Sequence, residues 1–349
     1  MSKWILKMIT QKDIAKKLDL SRATVSTILG GGEAAKKFRP EIRERVLNTA
    51  REMEYAHNDL ACSLRTGRSN VIGFISQSIG NEYSAQLLSG IEKDETDFFV
   101  KVISIRHEHD EKVILDICLR QFLSGIILYD EEDRSFVERL SRCLSKEGIP
   151  LVMACGDINL ENGIRVLSDV LQAGQLAFEH LYSLGHRNMA FLHHCWNLEP
   201  EMLMLDGFRK AAKLGGIEVP VRNIWTYGEH FSPQDVYKTF LETFPHPDAL
   251  FCSTVFQAIG IMNYFQIQGV RIPDDLSIIT RGNMKFSLSC YPRLTVLDET
   301  LSLIGKKSMN ILKERIMRNS LDPYLEYVPH ELIVRESTGK IRKKKGKLP

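Results

Sequence analysis

Thr10-Gln11-Lys12-Asp13-Ile14-Ala15-Lys16-Lys17-Leu18-Asp19-Leu20-Ser21-Arg22-Ala23-Thr24-Val25-Ser26-Thr27-Ile28-Leu29-Gly30-Gly31-Gly32 is the stretch that decides the fold at the head of this chain. A capping box needs an acceptor three residues after a hydroxyl N-cap, and Asp13 stands there after Thr10, a short carboxylate in place of Glu. Ile14, Ala15 and Leu18 then fall on one helical stripe, and the pattern breaks at Leu20-Ser21. Ser21 reads as a second N-cap, and Val25, Ile28 and Leu29 repeat at helical spacing until the three glycines stop the helix. A third helix is expected to open at Pro40, in first-turn position, and to run through Ile42, Val46, Leu47, Ala50 and Met53.

Three short helices, with the second reached by a tight turn, follow the plan of a helix-turn-helix module. The outer face of the second helix carries Arg22, Ala23, Ser26 and Thr27, all small or polar. Such a helix can enter a major groove, because nothing bulky blocks it while Val25, Ile28 and Leu29 hold it to its neighbour.

Charge agrees with that reading. The net formal charge is only +2 over 349 residues, yet residues 1–70 hold about 14 Lys and Arg against about 8 Asp and Glu. The acidic excess lies between residues 71 and 339, and the stretch from Lys340 is basic again. A basic head on an acidic body implies a polyanion partner for the head. An apolar fraction of 44% is that of a soluble globular protein, and no apolar run approaches the length of a membrane span, so a cytoplasmic protein without membrane contact is expected. The seven cysteines have no CxxC spacing, which suits buried thiols in a reducing compartment.

Past a polar, glycine-containing linker ending near Asn70, apolar strand-like runs recur at 71–75, 100–105, 125–128, 149–153, 189–192, 249–252 and 276–279. Amphipathic stretches of helical length separate most of them, for example 84–92, 111–122 and 172–184. Alternation of this kind means parallel sheets covered on both faces, an α/β body. No P-loop, GxSxG or catalytic glycine motif occurs among the turns, so neither an enzyme nor a cofactor is expected. His193-His194-Cys195 has the residue types of a soft-metal site, but adjacent histidines after a strand point to opposite faces, and no metal is expected.

Four strings, in order, resemble the lactose-repressor family: Asp13-Ile14-Ala15 with Leu20-Ser21 and Thr24-Val25-Ser26; Leu64-Arg65-Thr66-Gly67-Arg68-Ser69; Leu184-Gly185-His186-Arg187-Asn188-Met189-Ala190-Phe191; and Val334-Arg335-Glu336-Ser337-Thr338. The resemblance spans about Ile9 to Thr338. It implies a helix-turn-helix headpiece at 8–56, a hinge helix and linker at 57–70, a two-lobed body of the periplasmic-binding-protein type at 71–339 with two doubly wound parallel sheets and three chain crossings, and a basic tail at 340–349. It also implies a homodimer on a near-palindromic double-stranded DNA operator, with a small-molecule effector of unspecified identity between the lobes. Carried over by position, Ser21, Arg22, Ala23 and Ser26 face DNA. Thr10, Thr24 and Thr27 offer hydroxyls suited to phosphates, and Arg22 is able to donate two hydrogen bonds to guanine. Asn58, Ala61 and Leu64 belong to the hinge, with Leu64 at the place of the family's minor-groove lever.

The chain departs from the family at several points. Arg39 stands where a capping Ser is frequent, His57 where Pro precedes the hinge Asn, and Thr27 and Gly30 where Arg and Asn are common; the loop from Gly30 to Phe38 is long. The expected cleft set is Tyr83, Cys155, Asp169, Met204, Phe208, Thr254 and Gly282. In sugar-binding members several of these positions carry Asp, Arg or Asn. Here Cys155, Met204, Thr254-Val255 and Gly282-Asn283 replace them, removing most groups that grip hydroxyls. The alternatives to a ligand-responsive repressor are a regulator governed by a protein partner with an inert cleft, and a solute-binding protein or enzyme of the same bilobal fold.

Overall fold

The computed structural model describes residues 9–30, 32–55, 69–77, 79–93, 95, 97–105, 111–129, 133–155, 160, 163–195, 199–228, 230, 232–243 and 245–341. The chain divides into two compact units, Met1–Ser69 and Asn70–Pro349.

The first unit is helical, with α1 (Gln11–Leu18), α2 (Arg22–Gly30), α3 (Gly32–Lys36) and α4 (Pro40–Glu52). Ile14, Ala15, Val25, Ile28, Val46 and Ala50 are buried together, sealed by Leu18, Leu20, Leu29, Phe38, Ile42 and Met53. The Thr10–Asp13 capping box is formed in both directions. The glycine run does not leave a plain loop, contrary to expectation. Ala34-Ala35-Lys36 are strong helix formers and restart a helix of five residues at Gly32, and Ala35 is buried.

The second unit holds two six-stranded sheets. In the first lobe, β1 (Val71–Ser76), β2 (Phe99–Ser104), β3 (Ile126–Tyr129), β4 (Leu151–Ala154), β5 (Ile164–Ser168) and β11 (Tyr324–Val328) pair in the order β11-β5-β4-β3-β1-β2, all parallel. The second lobe orders β6 (Met189–His194), β7 (Ile224–Tyr227), β8 (Ala249–Cys252), β9 (Ser277–Arg281), β10 (Thr295–Asp298) and β12 (Glu331–Ile333) as β12-β10-β9-β8-β6-β7, with only β12 antiparallel. The chain passes between lobes after Ser168, after Asp298 and after Val328, the three crossings expected of a doubly wound bilobal body.

Helices cover both faces of each sheet, as parallel strands require. The first sheet packs against α5 (Glu82–Glu92) and α12 (Leu301–Arg318) on one side, through Leu87, Ile91, Ile304 and Leu312. On its other side lie α6 (Glu111–Arg120) and α7 (Arg134–Lys146), through Ile114, Cys118, Val137 and Leu140. In the second lobe α8 (Val170–Ser183) and α9 (Glu199–Leu214) bury Ala173, Phe178 and Phe208. Opposite them α10 (Pro233–Glu242) and α11 (Val255–Ile267) bury Val236, Phe240, Ile261 and Phe265. Two helix pairs cross on glycine. A Cβ on Gly90 would strike the Ser302 carbonyl oxygen and one on Gly305 that of Leu87, while Gly174 and Gly207 stand in the same reciprocal relation to Met204 and Leu171.

Two of the strings that carried the resemblance are neighbours in space. His186 bridges Asp248 Oδ1 at 3.0 Å and the Gly339 carbonyl at 2.9 Å, and the Ile341 amide donates to the Leu184 carbonyl at 3.1 Å. The Ser337 hydroxyl donates to the Ile278 carbonyl and accepts from the Thr295 amide. The Leu184–Phe191 and Val334–Thr338 strings therefore knit the end of the second lobe to the start of β6, a structural task rather than a ligand site.

Candidate functional site

The outer face of α2 is built by its caps. Ser21 Oγ accepts from the Thr24 amide at 3.0 Å and lies 2.9 Å from Thr24 Oγ1, satisfying an orphan N–H of the first turn. That fixes the N-terminal turn, on which Arg22 and Ala23 are exposed and Thr24, Ser26 and Thr27 half-exposed. Thr27 Oγ1 donates to the Ala23 carbonyl at 2.9 Å, so its hydroxyl is engaged within the helix. Thr10 is exposed at the N-terminus of α1, its hydroxyl on Asp13. Asn58, Ala61 and Leu64 lie outside the described residues.

In the second unit, the C-terminal edges of the two sheets carry most of the expected cleft set. Cys155 follows β4 in a left-handed backbone conformation, φ 53°, its amide donating to the Val166 carbonyl. Asp169 sits at the first crossing and caps α8 through the Gln172 amide at 3.0 Å. Thr254 precedes α11, its amide on Gln257 Oε1 at 3.3 Å. Gly282 follows β9 with φ +98°, and a Cβ there would lie 2.7 Å from the Tyr83 hydroxyl, so these two candidates meet across the lobes. Met204 and Phe208 are corrections: both are fully buried in the second lobe's core. Their positions on α9 face α8 and the sheet, because the apolar side of that helix is the one the sheet must cover.

A buried polar cluster that the sequence did not mark stands at the ends of β6, β7 and β8. Glu201, one turn before Met204, accepts from the His194 amide at 3.0 Å and from Ser253 Oγ at 2.5 Å. Gln257 accepts from the same hydroxyl and donates to Tyr227 Oη. Its only sequence signal was the Thr254-x-x-Gln257 capping spacing. Near the crossings, Arg281 Nε lies 3.1 Å from Glu299 Oε1. Burial pushes the Glu299 carboxyl above its usual range, with Arg281 pulling it back. Burial also drives up the Tyr83 phenol, and the Glu299 charge adds to it. Among the described residues, no cluster of three His, Cys, Asp or Glu side chains could hold a metal ion.

His330, at the third crossing, is buried with Nε2 3.2 Å from Ser168 Oγ. Burial first, and the Arg281 cation second, push its pKa from 6.5 to about 3. The folded form thus holds His330 neutral while the unfolded chain takes up a proton below pH 6.5, so its contribution is complete above that value and is lost as pH falls toward 3. By pH 5 the loss reaches about 2 kcal/mol. Denaturant unfolding at pH 7 and pH 5 checks this; a His330→Gln variant with the same acid loss as the parent would contradict it.

Residues 178–338 match a family model described as a periplasmic binding protein-like domain. Catabolite control protein A of Priestia megaterium is 28% identical over 95% of this chain and 99% of its own length. The ribose operon repressor of Halalkalibacterium halodurans is 28% identical, with 95% and 97% covered, and the transcriptional repressor PurR of Mannheimia succiniciproducens is 24% identical, with 96% and 100% covered. Among solved structures, a lac repressor dimer bound to operator and the anti-inducer ONPF superposes with a TM-score of 0.77 at 21% identity, over 95% of this chain and 100% of that one. No helix of the described residues is long and apolar enough to cross a membrane.

Proposed function

Because the chain belongs to the lactose-repressor family of transcription regulators, we propose that it is a sequence-specific DNA-binding repressor rather than an enzyme. It acts in the cytoplasm as a homodimer on a near-palindromic operator, with its affinity set by a small molecule between the lobes. The observation that carries the reading is likeness to proteins named as repressors along nearly the whole chain, headpiece and body together. The parts divide as a headpiece at 8–56, a hinge helix and linker at 57–70, the body at 71–339 and a basic tail from 340.

On this reading Ser21, Arg22, Ala23 and Ser26 enter the major groove, with Arg22 and Ala23 on base edges, while Thr10, Thr24 and Thr27 lie along the backbone. Asn58, Ala61 and Leu64 form the minor-groove hinge. Lys and Arg displace condensed counterions, so affinity falls steeply with salt. A gel-shift titration across salt concentrations, with selected and random DNA, tests the proposal. Equal affinity for both DNAs would sink it, and genome-wide mapping of bound sites would point to the regulated genes.

Common neutral sugars are expected to bind the cleft weakly or not at all. Cys155, Thr254 and Gly282 offer little to a hydroxyl, Asp169 is engaged as a helix cap, and Glu201 already has two donors. Each hydroxyl left unpaired on entry costs around 1 to 3 kcal/mol. Calorimetry with neutral mono- and disaccharides beside their phosphates decides the matter, and micromolar binding of an unmodified sugar with coupled loss of operator affinity would contradict it.

A further inference from the structure

We propose that the cleft is latched shut by the protein's own side chains, Glu82 and Gln86 of the first lobe gripping the 282–285 turn of the second, so that the ligand-free protein is already in its operator-binding state and an effector acts by breaking the latch. The operator half of this rests on the repressor reading above; the latch itself rests on geometry alone.

Both Glu82 carboxylate oxygens accept from the Lys285 amide, at 2.9 and 3.1 Å. One turn on, Gln86 Nε2 donates to the Asn283 carbonyl at 3.0 Å. Between them Tyr83 lays its hydroxyl where a side chain at position 282 would begin, and only glycine, at φ +98°, admits it there. These contacts join the first turns of α5 to the loop after β9. Both elements follow the C-terminal end of a strand, which is where a doubly wound sheet offers its crevice.

Each half of the latch is set before the halves meet. Asn81 Oδ1 caps α5 by accepting from the Ser84 amide at 2.8 Å. In the second lobe Asn283 is held from behind: its Oδ1 accepts from Arg335 Nη2 at 2.7 Å and its Nδ2 donates to Asp298 Oδ2 at 2.8 Å. Closing therefore orders little beyond Glu82 and Gln86 themselves, and preorganised partners lose less on association. The polar cluster at the ends of β6, β7 and β8 adds little demand for a ligand. Glu201, Ser253, Gln257 and Tyr227 satisfy one another, and Arg281 is paired with Glu299. A small molecule shifts such an equilibrium only by its differential affinity for the two lobe arrangements, so one that occupies the turn competes with Glu82 and Gln86 and favours the open form.

The test uses the full chain, dialysed free of small molecules, with and without Glu82→Ala/Gln86→Ala. Amide hydrogen exchange over residues 282–288 is expected to be at least tenfold faster in the double variant. Operator affinity is expected to fall at least tenfold with no ligand added. Glu82→Gln, which keeps one carbonyl acceptor for the Lys285 amide, should retain part of the protection, and an unchanged unfolding midpoint would show that all three proteins are folded. Exchange at 282–288 as fast in the parent as in the double variant would overturn the latch. Faster exchange with unchanged operator affinity would overturn its regulatory role. If neither protein prefers operator over random DNA while the exchange difference is seen, the repressor reading fails and the latch stands.

Discussion

Gly207→Val is expected to destabilise the second lobe by about 3 kcal/mol or more, at the upper end of what overpacking a helix contact costs. A Cβ at 207 would fall on the Leu171 carbonyl, and the reciprocal Gly174 lies against Met204 of the facing helix. A side chain in the way would rotate aside; a backbone carbonyl in the first turn of α8 can move only if that turn moves. Interiors are packed densely enough that such a shift spreads to Phe178, Phe208 and the sheet beneath. Gly80→Ala is the control, since nothing lies within 4 Å of a Cβ there, and it should stay within about 0.5 kcal/mol of the parent. Urea unfolding followed by tryptophan emission in a Trp4→Phe/Trp196→Phe background, which leaves buried Trp225, reads the second lobe. A parental midpoint for Gly207→Val would mean that the helices do not cross as closely as described.

The second large effect is expected at the DNA. Arg22→Ala should cost roughly 1 to 3 kcal/mol of operator binding and relax preference at one base pair in each half-site, because a bidentate guanidinium discriminates guanine from the other bases. The headpiece should remain folded, since Arg22 is exposed and the cap on its helix comes from Ser21. Binding measured against a panel of single-base operator variants separates two roles. Loss at one position marks a base contact, whereas an equal loss on every variant would reduce Arg22 to a phosphate contact.

The headpiece was legible because its signals are local. Thr10 with Asp13, Ser21 before Val25, and Pro40 before Ile42 each act within one or two helical turns, and the same residues cap and bury those helices in the fold. Most of the parallel interior strands were legible for a similar reason: buried on both faces, they are continuous apolar runs; Ile164–Ser168 and Thr295–Asp298, also interior, were missed because Arg165, Ser168, Thr295 and Asp298 shorten their apolar runs. Tyr324–Val328 and Ile224–Tyr227 were missed because they lie at sheet edges, where one side meets solvent and the apolar run is broken. Glu331–Ile333 is short and antiparallel.

The cleft was less legible, since its partners come from distant parts of the chain. Glu201 is made meaningful by Ser253 and His194, and Glu82 by an amide at Lys285; no spacing rule relates such positions. Met204 was misplaced because position along a family pattern says which residue replaces an arginine, not where a shorter, apolar side chain will turn. Methionine there follows the core.

The third strand-to-strand passage also bears on how the chain is made. The first lobe's sheet is completed by β11 and covered by α12, both of which follow nearly all of the second lobe in sequence, and β12 then returns to finish the second sheet. A nascent chain leaving the ribosome therefore holds β5 with a bare edge, and the apolar face awaiting Ile304 and Leu312 uncovered, while the whole second lobe is being synthesised. Neither lobe is a segment that can be cut out or released early. A premature stop anywhere between β6 and β11 leaves two unfinished sheets rather than one good lobe, which makes such truncated products of this chain natural clients for chaperones and proteases.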